Sequence, residues 1–102
     1  MKYDEIDPLI IPFMNRHGLH IMKSYQDTPV RYILIVDDKG NIYEINIEIK
    51  NEQILLQAYD QKTHKNKNTI NSSIENINEK LEESYKIIES WISQNGTKRT
   101  PV

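Results

Sequence analysis

His17 and His20 stand three apart in the run HGLH, with Gly18 and Leu19 between them. Two imidazoles hold zinc when a helix sets them one turn apart on a single face with a carboxylate nearby. Here Gly18 interrupts any helix between them, so the spacing is that of half a metal site without its geometry. His17 reads instead as a helix end, where the backbone dipole favours a cation, and His20 as the surface of the strand that follows. His64 lies in a polar basic stretch far along the chain, and whether the three histidines meet is a matter for tertiary structure. Asp37-Asp38 could bind a cation or move a proton, but acids opening a DDKG run more often close a tight turn by accepting bonds from nearby backbone amides. Nucleophilic chemistry has little to work with. The chain has no cysteine, and Ser24, Ser72, Ser73, Ser84, Ser90 and Ser93 fall in strand or helix contexts outside any glycine-rich elbow. The three glycines, at 18, 40 and 96, are used by two helix ends and a turn, so no loop is left to cradle phosphate. The expectation is a protein that is not an enzyme and takes no cofactor or metal.

The elements that would position these residues follow from periodicity. Ile6, Leu9, Ile10, Phe13, Met14 and His17 fall on one stripe of a 3.6-residue repeat, which predicts a helix. Asp4 or Asp7 can cap it, Pro8 suits its first position, Pro12 should kink it, and Gly18 should end it. Four strands are expected next. Leu19–Tyr25 is the weakest and is bounded by Gln26-Asp27-Thr28-Pro29; Arg31–Val36 is rich in β-formers. Asp37-Asp38-Lys39-Gly40-Asn41 reads as a tight turn with glycine in a left-handed position. Residues 42–50 alternate cleanly, with Tyr43, Ile45, Ile47 and Ile49 on one face and Glu44, Asn46, Glu48 and Lys50 on the other. A two-residue turn at Asn51-Glu52 sets Ile49, Ile47 and Ile45 opposite Ile54, Leu56 and Ala58, and both apolar sets then share a face. A slip by one residue would expose half of them, so this register should prevail.

Ile74, Ile77, Leu81, Tyr85, Ile88, Trp91 and Ile92 repeat at three and four, which predicts a helix from about 73 to 95, with Ser72 and Glu75 as a capping box and Gly96 as the stop. Such a helix would be about 34 Å long, against about 24 Å for a seven-residue strand. It should lie diagonally over the sheet or project beyond its edge, which would leave Trp91 available to a partner. Residues 61–71, with Ile70 as the only apolar side chain, read as a solvated connection. The expected fold is α+β: a two-layer sandwich of order α-β-β-β-β-α, with a four-stranded antiparallel meander and both helices on one face. Residues 1–96 would form the single domain and 97–102 a flexible basic tail. At 102 residues a chain can withdraw roughly 65% of its unfolded surface from water, enough for one modest core.

Residues 45–57, INIEIKNEQILLQ, resemble the central hairpin of the cyanobacterial excision-control factor family. The likeness does not extend to that family's tryptophans or its proline-rich carboxyl-terminal motif, and no function is taken from it.

A net charge of −2 points to no particular class of partner. With the helices over the isoleucine face, the other face shows Leu34, Val36, Leu55 and Tyr59, with Met22, among Glu44, Asn46, Glu48 and Gln57. A mixed apolar and acidic surface suits a protein partner. The favoured reading is a small non-catalytic protein-binding protein of a bacterium or phage, of the immunity-protein, inhibitor or adaptor type. It would act through Leu34, Glu44, Glu48, Leu55, Tyr59 and Trp91, with self-association as one form of partner. The alternative is a nucleic-acid-associated regulator using Lys62, Lys65, Lys67, Lys98 and Arg99, whose cations would attract phosphate but lack interleaved aromatics for base stacking. The acidic start MKYDEIDPLI does not read as a signal peptide, and no apolar run approaches membrane-spanning length, so a cytoplasmic location with no membrane contact is expected.

Overall fold

The computed structural model describes residues 1–23 and 30–100. Ser24, Tyr25 and the turn expected at 26–29 lie outside the described residues, as do Pro101 and Val102. The helical start of the chain is broken into three pieces: α1 (Tyr3–Ile6), a 3₁₀ turn (Asp7–Ile10) and α2 (Ile11–His17). Both prolines fall at the starts of the second and third pieces, where a missing N–H costs least. Gly18 ends α2 in the left-handed conformation, with φ 60°.

Among the described residues five strands follow, one more than expected: β1 (Ile21–Lys23), β2 (Arg31–Val36), β3 (Ile42–Lys50), β4 (Gln53–Asp60) and β5 (Lys67–Ser72). They form one antiparallel sheet in the order β1-β2-β3-β4-β5. The β3–β4 register is the one the alternation requires, with Ile49 opposite Ile54, Ile47 opposite Leu56 and Ile45 opposite Ala58. The turn between them holds Asn51 and Glu52 at φ 53° and 63°, the mirror-image turn whose twist matches a hairpin. The fifth strand occupies the second part, from Lys67 on, of the stretch expected to be a solvated connection. KNTINS lacks alternating hydrophobes because it is an edge strand, and only Ile70 packs against the core.

The final helix, α3 (Ile77–Gln94), is shorter than its periodicity implied. Ser72 and Glu75 do not make a capping box. Instead the Asn76 carboxamide oxygen accepts bonds from Ser73 N, Ser73 Oγ and Ser72 Oγ at 2.9, 2.9 and 3.1 Å, closing a turn that delays the helix. Eighteen residues span about 27 Å, close to the length of an eight-residue strand, and α3 packs along β4 and β5. Trp91 is accordingly a core residue, 9% exposed, with its ring 6.4 Å from that of Tyr43.

α3 packs over β4, β5 and β3. Ile33, Ile35, Ile45, Ile47, Ile54 and Leu56 of the sheet share one buried cluster with Phe13 and Met14 of α2 and Leu81 and Ile88 of α3. Arg31 fastens the amino terminus to this layer through Asp7 at 2.9 Å and Asp4 at 3.2 Å. Residues 97–100 are tied down as well. Thr97 is buried, Asp38 N donates to Lys98 O at 2.8 Å, and Thr100 N donates to Val36 O at 2.7 Å. The described part of the expected flexible tail is thus hydrogen-bonded along the outer edge of β2.

Candidate functional site: the outer face of the sheet

Side chains alternate along each strand, so the face turned away from the buried cluster carries Leu34 and Val36 of β2, Glu44, Asn46 and Glu48 of β3, and Leu55, Gln57 and Tyr59 of β4. Register aligns them in rows. Leu34 lies opposite Glu44, Glu44 opposite Tyr59, and Tyr59 opposite Lys67. Glu48 lies opposite Leu55. Five of the six residues singled out for protein binding therefore share this face, and Trp91 does not, because it is packed inside.

Two neighbouring features divide the face. The first is an apolar cleft of about 210 Å³ lined by Gly18, Leu19, His20, Met22, Leu34 and Val36. It forms where β1 is too short to run alongside the rest of β2, which leaves Met22 39% exposed and Leu34 and Val36 half-buried. The second is a polar cluster around Glu44, which is only 7% exposed. Tyr59 Oη donates to Glu44 Oε2, Gln61 Nε2 donates to Oε1 at 2.9 Å, and Asn46 Nδ2 donates to Oε2 at 3.3 Å. His64 stacks on the Tyr59 ring at 5.4 Å. Burial, and then the bond to and charge of Glu44, push the Tyr59 phenol above its ordinary range, so it stays a neutral donor. Glu44 was expected as an exposed carboxylate. Its neighbours occupy both oxygens instead, and the acidic group left more open on this face is Glu48.

Gln61 is two residues beyond Tyr59, so its place beside Glu44 was readable from strand parity. His64 was not, because it reaches Tyr59 only through a left-handed backbone, φ 55°, that the sequence does not announce.

The histidines go to separate neighbourhoods. His17 Nε2 lies 2.8 Å from Glu82 Oε2, and its ring lies 4.0 Å from that of Tyr85, so it joins α2 to α3. His20 lines the apolar cleft, and His64 covers Tyr59. Among the described residues no group of three or more potential ligands is placed to hold a metal.

The cations also divide. Lys62 and Lys65 line a cleft of about 390 Å³ at one end of the sheet, with Asn41, Tyr43, Asp60 and Asn95. Lys98 meets the β2–β3 turn at that end, its N–H donating to Asp38 Oδ1 at 3.3 Å. Lys67 belongs to the outer face, and Arg99 turns to Tyr85 Oη at 3.2 Å and Gly18 O at 3.3 Å. The large cleft is not uniformly positive. Burial would raise the Asp60 carboxyl, but bonds from Thr63 and backbone amides hold it below its usual range. The Tyr43 phenol is pushed up by burial and, less strongly, by the charges of Asp37 and Asp60, against the opposing bond from Asn95.

No family model, curated protein or solved structure matches this chain. Among the described residues, no helix is long and apolar enough to cross a membrane.

Proposed function

We propose that this chain is a small non-catalytic protein-binding protein of a bacterium or phage, of the immunity-protein, inhibitor or adaptor type, working in the cytoplasm. It acts through the outer face of a two-layer sandwich whose helices both cover the opposite side. The observation that carries the reading is the apolar cleft beside Leu34, adjoining the Glu44–Tyr59 cluster. An apolar pocket next to rigidly held polar groups is the usual make-up of an interface hot spot: the pocket takes a buried anchor, and fixed donors and acceptors set its orientation. The hydrogen-bonded Glu44 cluster adds preorganisation, since its side chains lose little freedom when a partner arrives.

The test is capture from the native host with wild-type protein and with Leu34→Asp, followed by mass spectrometry. A partner held by the wild type and weakened at least about tenfold by L34D supports the reading, because an anchor residue contributes upwards of 1–2 kcal/mol. Equal binding by two variants with the same thermal unfolding refutes it.

A second reading rests on Lys62 and Lys65 sharing one cleft near Lys98. Binding to DNA or RNA that falls steeply with salt, and is lost on charge reversal at Lys62 and Lys65, would favour it.

A further inference from the structure

The two edges of the sheet differ. Beyond β2, the short β1 and the carboxyl-terminal segment block further pairing, with Asp37 bridged to Arg99. β5 carries one such device, the exposed Lys67 at its end, and its remaining length is unguarded. It contains no proline, its pairing with β4 runs without a bulge from Ser72 to Lys67, and among the described residues no strand pairs with its outer side. Natural edges are usually blocked by one of these devices.

The ladder shows which groups face outward. Asp60 N donates to Asn66 O, so 60 and 66 are a hydrogen-bonded pair, and pairs alternate along an antiparallel ladder. With the β4–β5 register, Asn68, Ile70 and Ser72 direct their N–H and C=O towards β4. Lys67, Thr69 and Asn71 direct theirs outward.

We propose that β5 pairs antiparallel with β5 of a second copy of this chain, joining two sheets into one of ten strands. Only registers that match the outward-facing residues and keep like faces together are allowed, and the nearest are centred on Thr69 or on Ile70. Centring on Thr69 sets the Asn68 carboxamide against the partner's Ile70. Centring on Ile70 sets Ile70 against the partner's Ile70 in a non-hydrogen-bonded pair, where side chains approach most closely. It also places Asn68 opposite the partner's Ser72, polar against polar, and lets Thr69 and Asn71 exchange hydrogen bonds with the partner's Asn71 and Thr69. The Ile70 register is the one formed. In the single chain Ile70, Ile74 and Ile87 are only partly buried against the core, and Asn68 Oδ1 is buried with no hydrogen-bond partner. Ile87 lies on the side of α3 opposite Asn78 and Glu82, which bind Leu9 and His17. It therefore faces the β5 edge and extends the strip that a second copy would cover. The dimer leaves the outer face free, so this inference stands apart from the reading of that face.

Sedimentation equilibrium from low micromolar to millimolar concentration should show a dimer. Thr69→Pro, which removes an outward N–H and no bond to β4, should weaken it at least tenfold while far-UV circular dichroism is retained. The chain has no cysteine, so Ile70→Cys should cross-link to itself under mild oxidation at least tenfold faster than Thr69→Cys. A wild type monomeric throughout, a folded T69P that dimerises unchanged, or equal cross-linking of the two cysteine variants would each overturn the proposal. The cross-linking comparison decides the matter should T69P fail to fold.

Discussion

Asp37→Ala removes a carboxylate that is 1% exposed and closes the β2–β3 turn. Oδ1 accepts Lys39 N at 3.0 Å and Asn41 N at 2.8 Å, while Oδ2 accepts Asn41 Nδ2 at 2.8 Å and Thr97 Oγ1 at 2.9 Å. Hydrogen bonds to a charged group contribute about 1.5–3 kcal/mol each, but the four are not additive. Lys39 is in an exposed turn, and the Thr97 hydroxyl can turn its one proton to Ile92 O, 3.0 Å away. A net loss of about 3–5 kcal/mol is therefore expected, out of a total near 5–15 kcal/mol for a domain of this size. With a urea slope of about 1.5 kcal/mol/M, the midpoint falls by about 2–3 M. The single tryptophan, Trp91, is in the core and reports the transition by fluorescence.

The same variant has a pH signature. Burial alone would raise the Asp37 carboxyl, but bonds from Asn41, Thr97 and Lys39 hold it below the usual value of 3.8. A depressed carboxyl contributes stability above its unfolded pKa and loses it as pH falls through the folded value. The gap between wild type and D37A should thus be constant from neutral pH down to about 5 and narrow below about 3.8, as the carboxyl loses the charge its donors favour. A gap under about 1 kcal/mol at neutral pH, or one that does not narrow at all as pH falls below about 3.8, would refute this account of the turn.

Two further substitutions test the outer face and the central hairpin. Glu44→Gln should lower the Tyr59 pKa, read by NMR of ring-labelled tyrosine, yet leave it above its ordinary value because burial remains. Since the unfolded phenol ionises near 10 and the folded one does not, wild-type stability should fall as pH climbs above about 10, and E44Q should lose less. Glu52→Gly should stabilise the protein by about 0.5–1 kcal/mol, because a residue at φ 63° in this turn favours glycine over a β-carbon. A calorimetric rise in Tm of about 2–6 °C would show it.

Much of the fold was legible because it depends on local pattern. β2 and β3 have their expected bounds, and the β3–β4 register follows from alternation alone, since any one-residue slip would turn Ile45, Ile47 and Ile49 to water. Gly18 ended its helix for a local reason too: the left-handed conformation disfavours a β-carbon. β5 was not legible, because an edge strand is stabilised mostly by backbone pairing with β4, and KNTINS shows almost no apolar alternation.

Which side chains share each face of β2, β3 and β4 follows from the order of residues alone, because period and register are properties of neighbouring residues. Tertiary structure alone decided which of those side chains are accessible. Trp91 is enclosed because α3 lies along the sheet and sets the indole beside Tyr43 of β3. Tyr59 is covered because a left-handed backbone at His64 brings the imidazole ring back over it. Leu34 borders a cleft because β1 stops short. Each depends on where a distant segment comes to rest, and burial is a sum over such contacts that no local pattern contains.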